Sequence, residues 1–448
     1  MSAVEGCVDA PAGASRPWAR GTSAVLAALA VLVIARMAFH ALFLPAYEGP
    51  DEPHHLGRIV AFAEGPFLAA LAGVPLDGSI ARAVELRPCG PGRRPCPAFG
   101  TAPGAFNLLR PLPKQAAPAA APNPENHQPP LYYLVAGLLL RVLTRLDPTG
   151  WLGTPDVRLL WGRLLSVGLV ALALVLPLRV LFRTRSSSVA AAGLLLLLLP
   201  GASEALARCS NDAAVFCWSA FLLLAMDRRA PLWRICVLLA CGPLIKLTAL
   251  PIAIYAVASL WRRTQRSGAL LGAASACLVF LVQASRGWLW GGTYEFNRPL
   301  SGIHESLPRA AQGLSRSLYT FIKTIFWLGG WSFFRAPVAL VIAWFLLILG
   351  FLAAVRLRPV ASRAPHAAGA AAAVLGCVVF FIGNRRFYGE WGGVGGWYVW
   401  DWAPWILLAF DDLGSLSALA RRILLPATAL FAAVANAVYF QMAIRLYG

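Results

Sequence analysis

The chain has 448 residues, of which 58% are apolar and only 13% charged, against about 25% charged in an ordinary soluble domain. With a mean hydropathy of +0.65, it carries more apolar surface than a soluble enzyme of this size can bury. The net charge of +19 does not indicate nucleic acid, because the basic residues gather at the ends of apolar runs, as in Arg179, Arg183 and Arg185, or Arg262, Arg263 and Arg266. That is how the cytoplasmic loops of a multi-pass protein look. The expected fold class is all-α, a polytopic membrane helix bundle.

In chain order, residues 1–21 read as a cytoplasmic tail and 22–448 as one membrane-embedded unit. The run Ser23 to Phe43 is longer than a signal-peptide core and is taken as an uncleaved first span. Residues 45–157 then form a long periplasmic first loop, and loops of that length are usually functional or disordered. Within it Cys89 and Cys96 flank CGPGRRPC, where a local disulfide fits an oxidising compartment. Pro130 to Leu146 is interrupted by Arg141, too early for a full crossing, and is placed in the outer interface.

Further spans are expected near Leu164 to Leu181, Ser188 to Leu206 and Ala213 to Met226, and two short segments turn near Lys246. Gly268 to Ala284 follows, then an external stretch from Ser285 to Ala336. Runs near Pro337 to Val355, Ala367 to Ile382, Trp402 to Phe410 and Ile423 to Ile444 bring the expectation to about eleven spans.

Against this apolar background a few polar residues stand out. Pro50 to His55 reads PDEPHH, with adjacent acids Asp51 and Glu52 followed by His54 and His55. Asp51 as a helix cap is the plain reading, but a cap needs one acid. Two acids and two histidines at the mouth of an apolar bundle point to handling of protons and phosphate. A divalent cation (Mg or Mn) held by Asp51, Glu52 and Asp212 is the weaker alternative.

His127 precedes a Pro-Pro helix start, where a helix amino terminus favours anions; the same stretch also reads as an amphipathic helix anchored by Tyr132 and Tyr133. Asp212, after Asn211, is either a cap or a second acid facing the same cavity. Lys246, one of three lysines, either snorkels or neutralises an anion. Arg385 and Arg386, before the aromatic and glycine-rich loop Trp391 to Trp402, form a candidate headgroup clamp.

The order of these motifs resembles that of the GT-C class of multi-pass glycosyltransferases. Asp51 and Glu52 match the first-loop acidic motif, which in aminoarabinose-transferase-like members reads Asp-Glu-x-Arg; here His54 stands in the arginine's place. His127 to Tyr133 is similar to the His-Pro-Pro element closing the first outer loop, and Arg163 to Ser166 to the Arg-Leu-Pro-Ser start of the next span. Asn211 with Asp212, and Lys246, take the second-loop acid and Lys-Leu positions. Phe326 to Trp331 looks like a Phe-Trp-Gly segment of an uncharacterised bacterial membrane subgroup. The Gly-Arg-Tyr of many relatives has become Gly396, Trp397 and Tyr398.

The resemblance implies transfer of a sugar from a polyprenyl-phosphate donor to the hydroxyl of a lipid, glycan or protein acceptor on the periplasmic face. Asp51 is the preferred general base, Glu52 the second choice, and Asp212 a helper. His54, His55, His127, Lys246, Arg385 and Arg386 become phosphate-binding candidates. Alanine and arginine excess with scarce lysine points to a GC-rich bacterial genome, hence the inner membrane. A transporter or flippase for a lipid-linked or anionic solute is the alternative from another class, though no repeated half is evident.

Overall fold

The structure is a computed structural model that describes residues 20–44, 46–47, 49, 51–86, 123–183, 187–263, 265–289, 307–328, 336–357, 363–388, 395–416 and 418–447. Cys89 and Cys96, the expected disulfide pair, lie outside the described residues.

Helix α1 (Arg20–Phe43) is apolar almost all round. It leaves Val25, Val31, Leu32 and Phe39 exposed while Val33 and Met37 are fully buried. An exposed apolar stripe on a helix with buried Arg36 and His40 is inside-out for water and right for lipid.

The first loop carries α2 (Glu52–Glu64), α3 (Phe67–Ala72), α4 (Gly78–Leu86), a tight turn over Pro124–His127, and α5 (Leu131–Leu146). Helix α5 lies on α2, and Gly137 allows it: a Cβ there would stand 2.9 Å from the Ile59 carbonyl oxygen. Arg141 explains why a charge interrupts this apolar helix. Its guanidinium donates to the carbonyls of Phe62, Ala63 and Gly65, which have no partner inside α2. As expected for 130–146, α5 is not among the helices long enough to cross a membrane alone.

Helix α6 (Pro155–Ala173) runs on through a π turn at Leu174–Leu178, around Pro177, into α7 (Arg179–Arg183). The expected single span Ser188 to Leu206 is corrected to two helices, α8 (Ser187–Leu197) and α9 (Pro200–Ala207), bent by 73°. Pro200 opens the second, where its fixed φ and absent N–H suit a helix start and not a helix interior. Next come α10 (Asp212–Asp227), α11 (Leu232–Ile245) and α12 (Leu250–Arg262). Lys246, extended at φ −164 and ψ 144, breaks the chain between the last two as the sequence indicates.

Helices α13 (Arg266–Leu289) and α14 (Leu307–Phe326) follow. The latter occupies part of the stretch Ser285 to Ala336 expected to be external and without spans. It exposes Leu314 and Leu318 and buries Ser317, Lys323 and Thr324, so its apolar side chains never form one continuous run. The chain ends with α15 (Val338–Ala354), α16 (Arg363–Tyr388), α17 (Tyr398–Asp401), α18 (Ala403–Leu413) and α19 (Ala418–Tyr447). One short antiparallel pair, β1 (Val355–Leu357) with β2 (Gly414–Leu416), joins the ends of α15 and α18.

Among the described residues three helices can cross a membrane by length and apolarity, Thr22–Phe43, Pro155–Phe182 and Arg421–Arg445, with a fourth if the bent pair is one span. The other apolar helices, such as Leu232–Ile245 and Val338–Ala354, are shorter. The expectation of about eleven spans is larger than this count, which takes only the described residues and helices long enough to cross singly.

Candidate functional site

The two adjacent acids of the first loop meet opposite fates. Glu52 is fully buried and takes both nitrogens of the Arg163 fork, Nε at 2.7 Å and Nη2 at 2.6 Å. It also accepts the backbone N–H of Cys209 at 3.1 Å and of Gly49 at 3.2 Å. Arg163 spends its remaining donor on the carbonyls of Ala41 and Leu44 at the end of α1. A carboxylate and guanidinium this fully matched act as a joint between α1, α2, α6 and the turn before α10.

Asp51 is different. It sits half-buried just before α2 in the left-handed region, at φ 63, which costs a non-glycine residue about 1 kcal/mol or more. Its backbone carbonyl accepts the N–H groups of His54 and His55. The side chain caps nothing, and among the described residues it carries no hydrogen bond.

Asp212 opens α10 fully buried. Arg208 reaches its Oδ2 with Nη2 at 2.6 Å, Ser210 Oγ donates at 2.8 Å, and Lys246 donates to the other oxygen. Lys246 Nζ also lies 3.6 Å from Asp401 and 4.7 Å from the centre of the Tyr398 ring. Burial pushes the Asp401 carboxyl well above its ordinary range. Lys246 thus lies between two carboxyl groups, Asp212 and Asp401, and Arg208 backs the first of them. Asp51 lies within electrostatic reach of Arg208 and Tyr398, so the first-loop and second-loop acids converge on one cluster.

The first-loop turn supplies the opposite wall. Asn123 donates to the His54 carbonyl at 2.9 Å, and Asn211 reaches Gln128 at 3.3 Å and the Ile245 carbonyl at 3.1 Å. His55 Nδ1 stands 2.7 Å from the Tyr133 hydroxyl and 3.9 Å from Glu125. Burial lowers the pKa of His54, and lowers that of His55 well below its usual value, with Arg208 adding to the effect on His55. Both are therefore neutral at pH 7. Glu125 is buried too, and with Asp51 nearby it is pushed up to about 8. Among the described residues its Oε2 has no hydrogen-bond partner.

The short helix α17 has two faces. Tyr398 and Asp401, three residues apart, turn to Lys246, while Val399 and Trp400 line an apolar cleft of about 240 Å³ between α8, α15 and α18. Gly193, Leu197, Trp344, Phe351 and Leu407 complete much of its wall. The turn that presents α17 is pinned by Gly396, whose N–H donates to Thr324 Oγ1 at 2.6 Å. Any side chain at Gly396 would strike the Phe321 carbonyl, 1.9 Å from an ideal Cβ.

Of the sequence candidates, Asp51, Glu52, His54, His55, Asp212 and Lys246 are thus gathered at one end of the bundle. His127 belongs to the turn and Arg385 and Arg386 to α16, but their side chains lie outside the described residues. The alternative of a cation on Asp51, Glu52 and Asp212 is corrected: Arg163 occupies Glu52, Arg208 and Lys246 occupy Asp212, and among the described residues no three His, Cys, Asp or Glu are placed to hold a metal ion. Arg208, Glu125 and Asp401 were missed. Arg208 lies three residues before Asn211, Asp401 lies inside the loop Trp391 to Trp402 already singled out, and Glu125 lies two residues before His127.

The profile of a family described as predicted membrane protein, DUF2142, matches residues 32–384. The chain belongs to that family. Neither a curated protein nor a solved structure matches it. The DUF2142 match runs from within α1 into α16 and takes in Asp51, Arg163, Asp212 and Lys246, whereas Tyr398 and Asp401 lie beyond it.

Proposed function

We propose that this DUF2142 chain is a glycosyltransferase of the bacterial inner membrane that moves a sugar from a polyprenyl-phosphate donor to a hydroxyl acceptor at the periplasmic face. The observation that carries the reading is α17, which sets the cations Lys246 and Arg208 beside an apolar cleft along Val399 and Trp400. A phosphate on a hydrocarbon chain needs that combination. The shorter apolar helices complete the crossing bundle, for the eleven spans expected from hydropathy.

In this reading the acceptor O–H gives its proton to Asp51 while its oxygen bonds to the anomeric carbon. The bond from that carbon to the phosphate oxygen breaks, and the electron pair leaves on the phosphate, whose charge faces Arg208 and Lys246. Fixed cations aimed at developing charge are often the largest catalytic contribution, and a positioned base adds about 10² to 10⁴-fold. With no enzyme-linked intermediate, the anomeric centre inverts. Glu52, locked to Arg163, holds Asp51 in place and takes no proton.

Membranes containing the protein, incubated with a panel of radiolabelled polyprenyl-phosphate sugars, should consume one label, and Asp51→Asn should abolish transfer. Failure of every donor, or an active Asp51→Asn variant, sinks the reading.

One observation favours the alternative of a transporter or flippase. The break between α8 and α9 is filled from α19 by Asn436, which donates to the Leu198 carbonyl at 2.8 Å and accepts from buried Arg36 at 2.7 Å. Broken helices lined by polar groups are a transporter feature. Movement of labelled lipid-linked sugar across proteoliposomes without transfer would select this alternative.

A further inference from the structure

We infer that a groove running along α12 to the end of the bundle remote from Asp212 is a binding site for an anionic phospholipid, with its phosphate on Arg262 and one acyl chain along α12. The groove, about 490 Å³, lies between α12, α13 and the start of α16. Its position follows from the helices. α10 leads away from Asp212, α11 returns to Lys246, and α12 leads away again to Arg262. Arg263 closes that far end by donating to the Met226 carbonyl of α10 at 2.9 Å.

The lining is apolar except at one point. Ala253, Ala258, Ala273 and Ala276 hollow it out, Cys277 faces it, and Arg262 is its single charged residue. At 13 residues, α12 is about 20 Å long, enough to follow one chain through half of a hydrocarbon core of about 30 Å. Beside Arg262, Trp261 is 47% exposed with the Arg266 guanidinium 5.8 Å from its ring centre. An aromatic at headgroup level next to arginines is the usual interfacial anchor. Arg363 immediately precedes the groove residues Ala364 and Pro365. This charge selects an anionic headgroup over a zwitterionic one, since guanidinium suits phosphate well.

The test is native mass spectrometry of the purified full-length protein titrated with phosphatidylglycerol or with phosphatidylcholine of the same chains. Phosphatidylglycerol should be retained about tenfold better. Arg262→Gln should cost about fivefold of that preference, the usual weight of one basic side chain at an anionic lipid. Cys277→Trp, which fills the groove without changing charge, should lower retention as well. Arg421→Gln, on α19 and outside the groove, should change nothing. Equal retention of the two lipids, wild-type retention in Cys277→Trp, or an Arg421→Gln loss equal to that of Arg262→Gln would each overturn the assignment.

Discussion

Glu52 and Arg163, 111 residues apart, meet in a two-pronged contact at 2.6 and 2.7 Å with both side chains at most 1% exposed. The partner of each is the other's only route out of an uncompensated buried charge. That relationship turns one of two adjacent acids into scaffold and leaves Asp51 as the one whose side chain carries no hydrogen bond among the described residues.

Breaking that pair from either side should be costly. Glu52→Gln or Arg163→Met should each destabilise the protein by about 3 to 5 kcal/mol, because a buried charge is left alone. The double change Glu52→Gln with Arg163→Met should lose clearly less than the two single losses combined. Unfolding in mixed micelles measures it; strict additivity would argue against direct coupling.

Asp51 should behave in the opposite sense. At φ 63 a glycine fits better than an aspartate, so Asp51→Gly should be neutral or up to about 1 kcal/mol more stable. The same variant should have no transferase activity. A melting point well below wild type would mean that the Asp51 side chain supports the fold.

The Asp212 cluster offers a second coupling. Lys246→Met should weaken the fold by about 3 kcal/mol or more, by taking one of its two cations from the buried Asp212 carboxylate. Asp401→Asn should cost little, since burial already favours its neutral form. Thermal melting of the two variants compares them, and the reverse order would reassign the charge from Asp212 to Asp401.

Glu125 makes stability depend on pH. Burial raises its pKa in the fold to about 8, above the roughly 4.3 of an unfolded chain. Below both values the group is protonated in both states and contributes nothing. As pH rises towards 8 the unfolded chain ionises while the folded one does not, so stability falls by at most about 1.4 kcal/mol per pH unit. Asp51, Arg58, Gln128 and Lys246 surround the carboxyl and set this balance, with His55 at 3.9 Å. Glu125→Gln should remove the fall, read from unfolding midpoints between about pH 5 and pH 8. The two neutral histidines act in the other direction, favouring the fold as pH rises through their usual range. An unchanged slope in Glu125→Gln would place the titration elsewhere.

Much of the architecture was readable before any coordinates. Apolar runs bounded by arginines marked a membrane bundle because hydrocarbon admits little else. Lys246 marked a turn because a lone lysine between short apolar segments has nowhere else to go. Asp51, Glu52 and Asp212 stood out because acids are rare and costly near such helices. What each acid does was not readable. The choice between joint and free carboxylate rests on Arg163 and Arg208, which sit in apolar context at long or local range, and on Asp401, which arrives from the far end of the chain. Pro200 was visible, but the bend at α8 and α9 depends on Asn436 meeting the freed Leu198 carbonyl. Composition and periodicity settle which segments leave water, since that depends on each residue's own solvation. Partner choice among buried charges depends on distances of a few ångströms between remote segments, and only packing in three dimensions sets those.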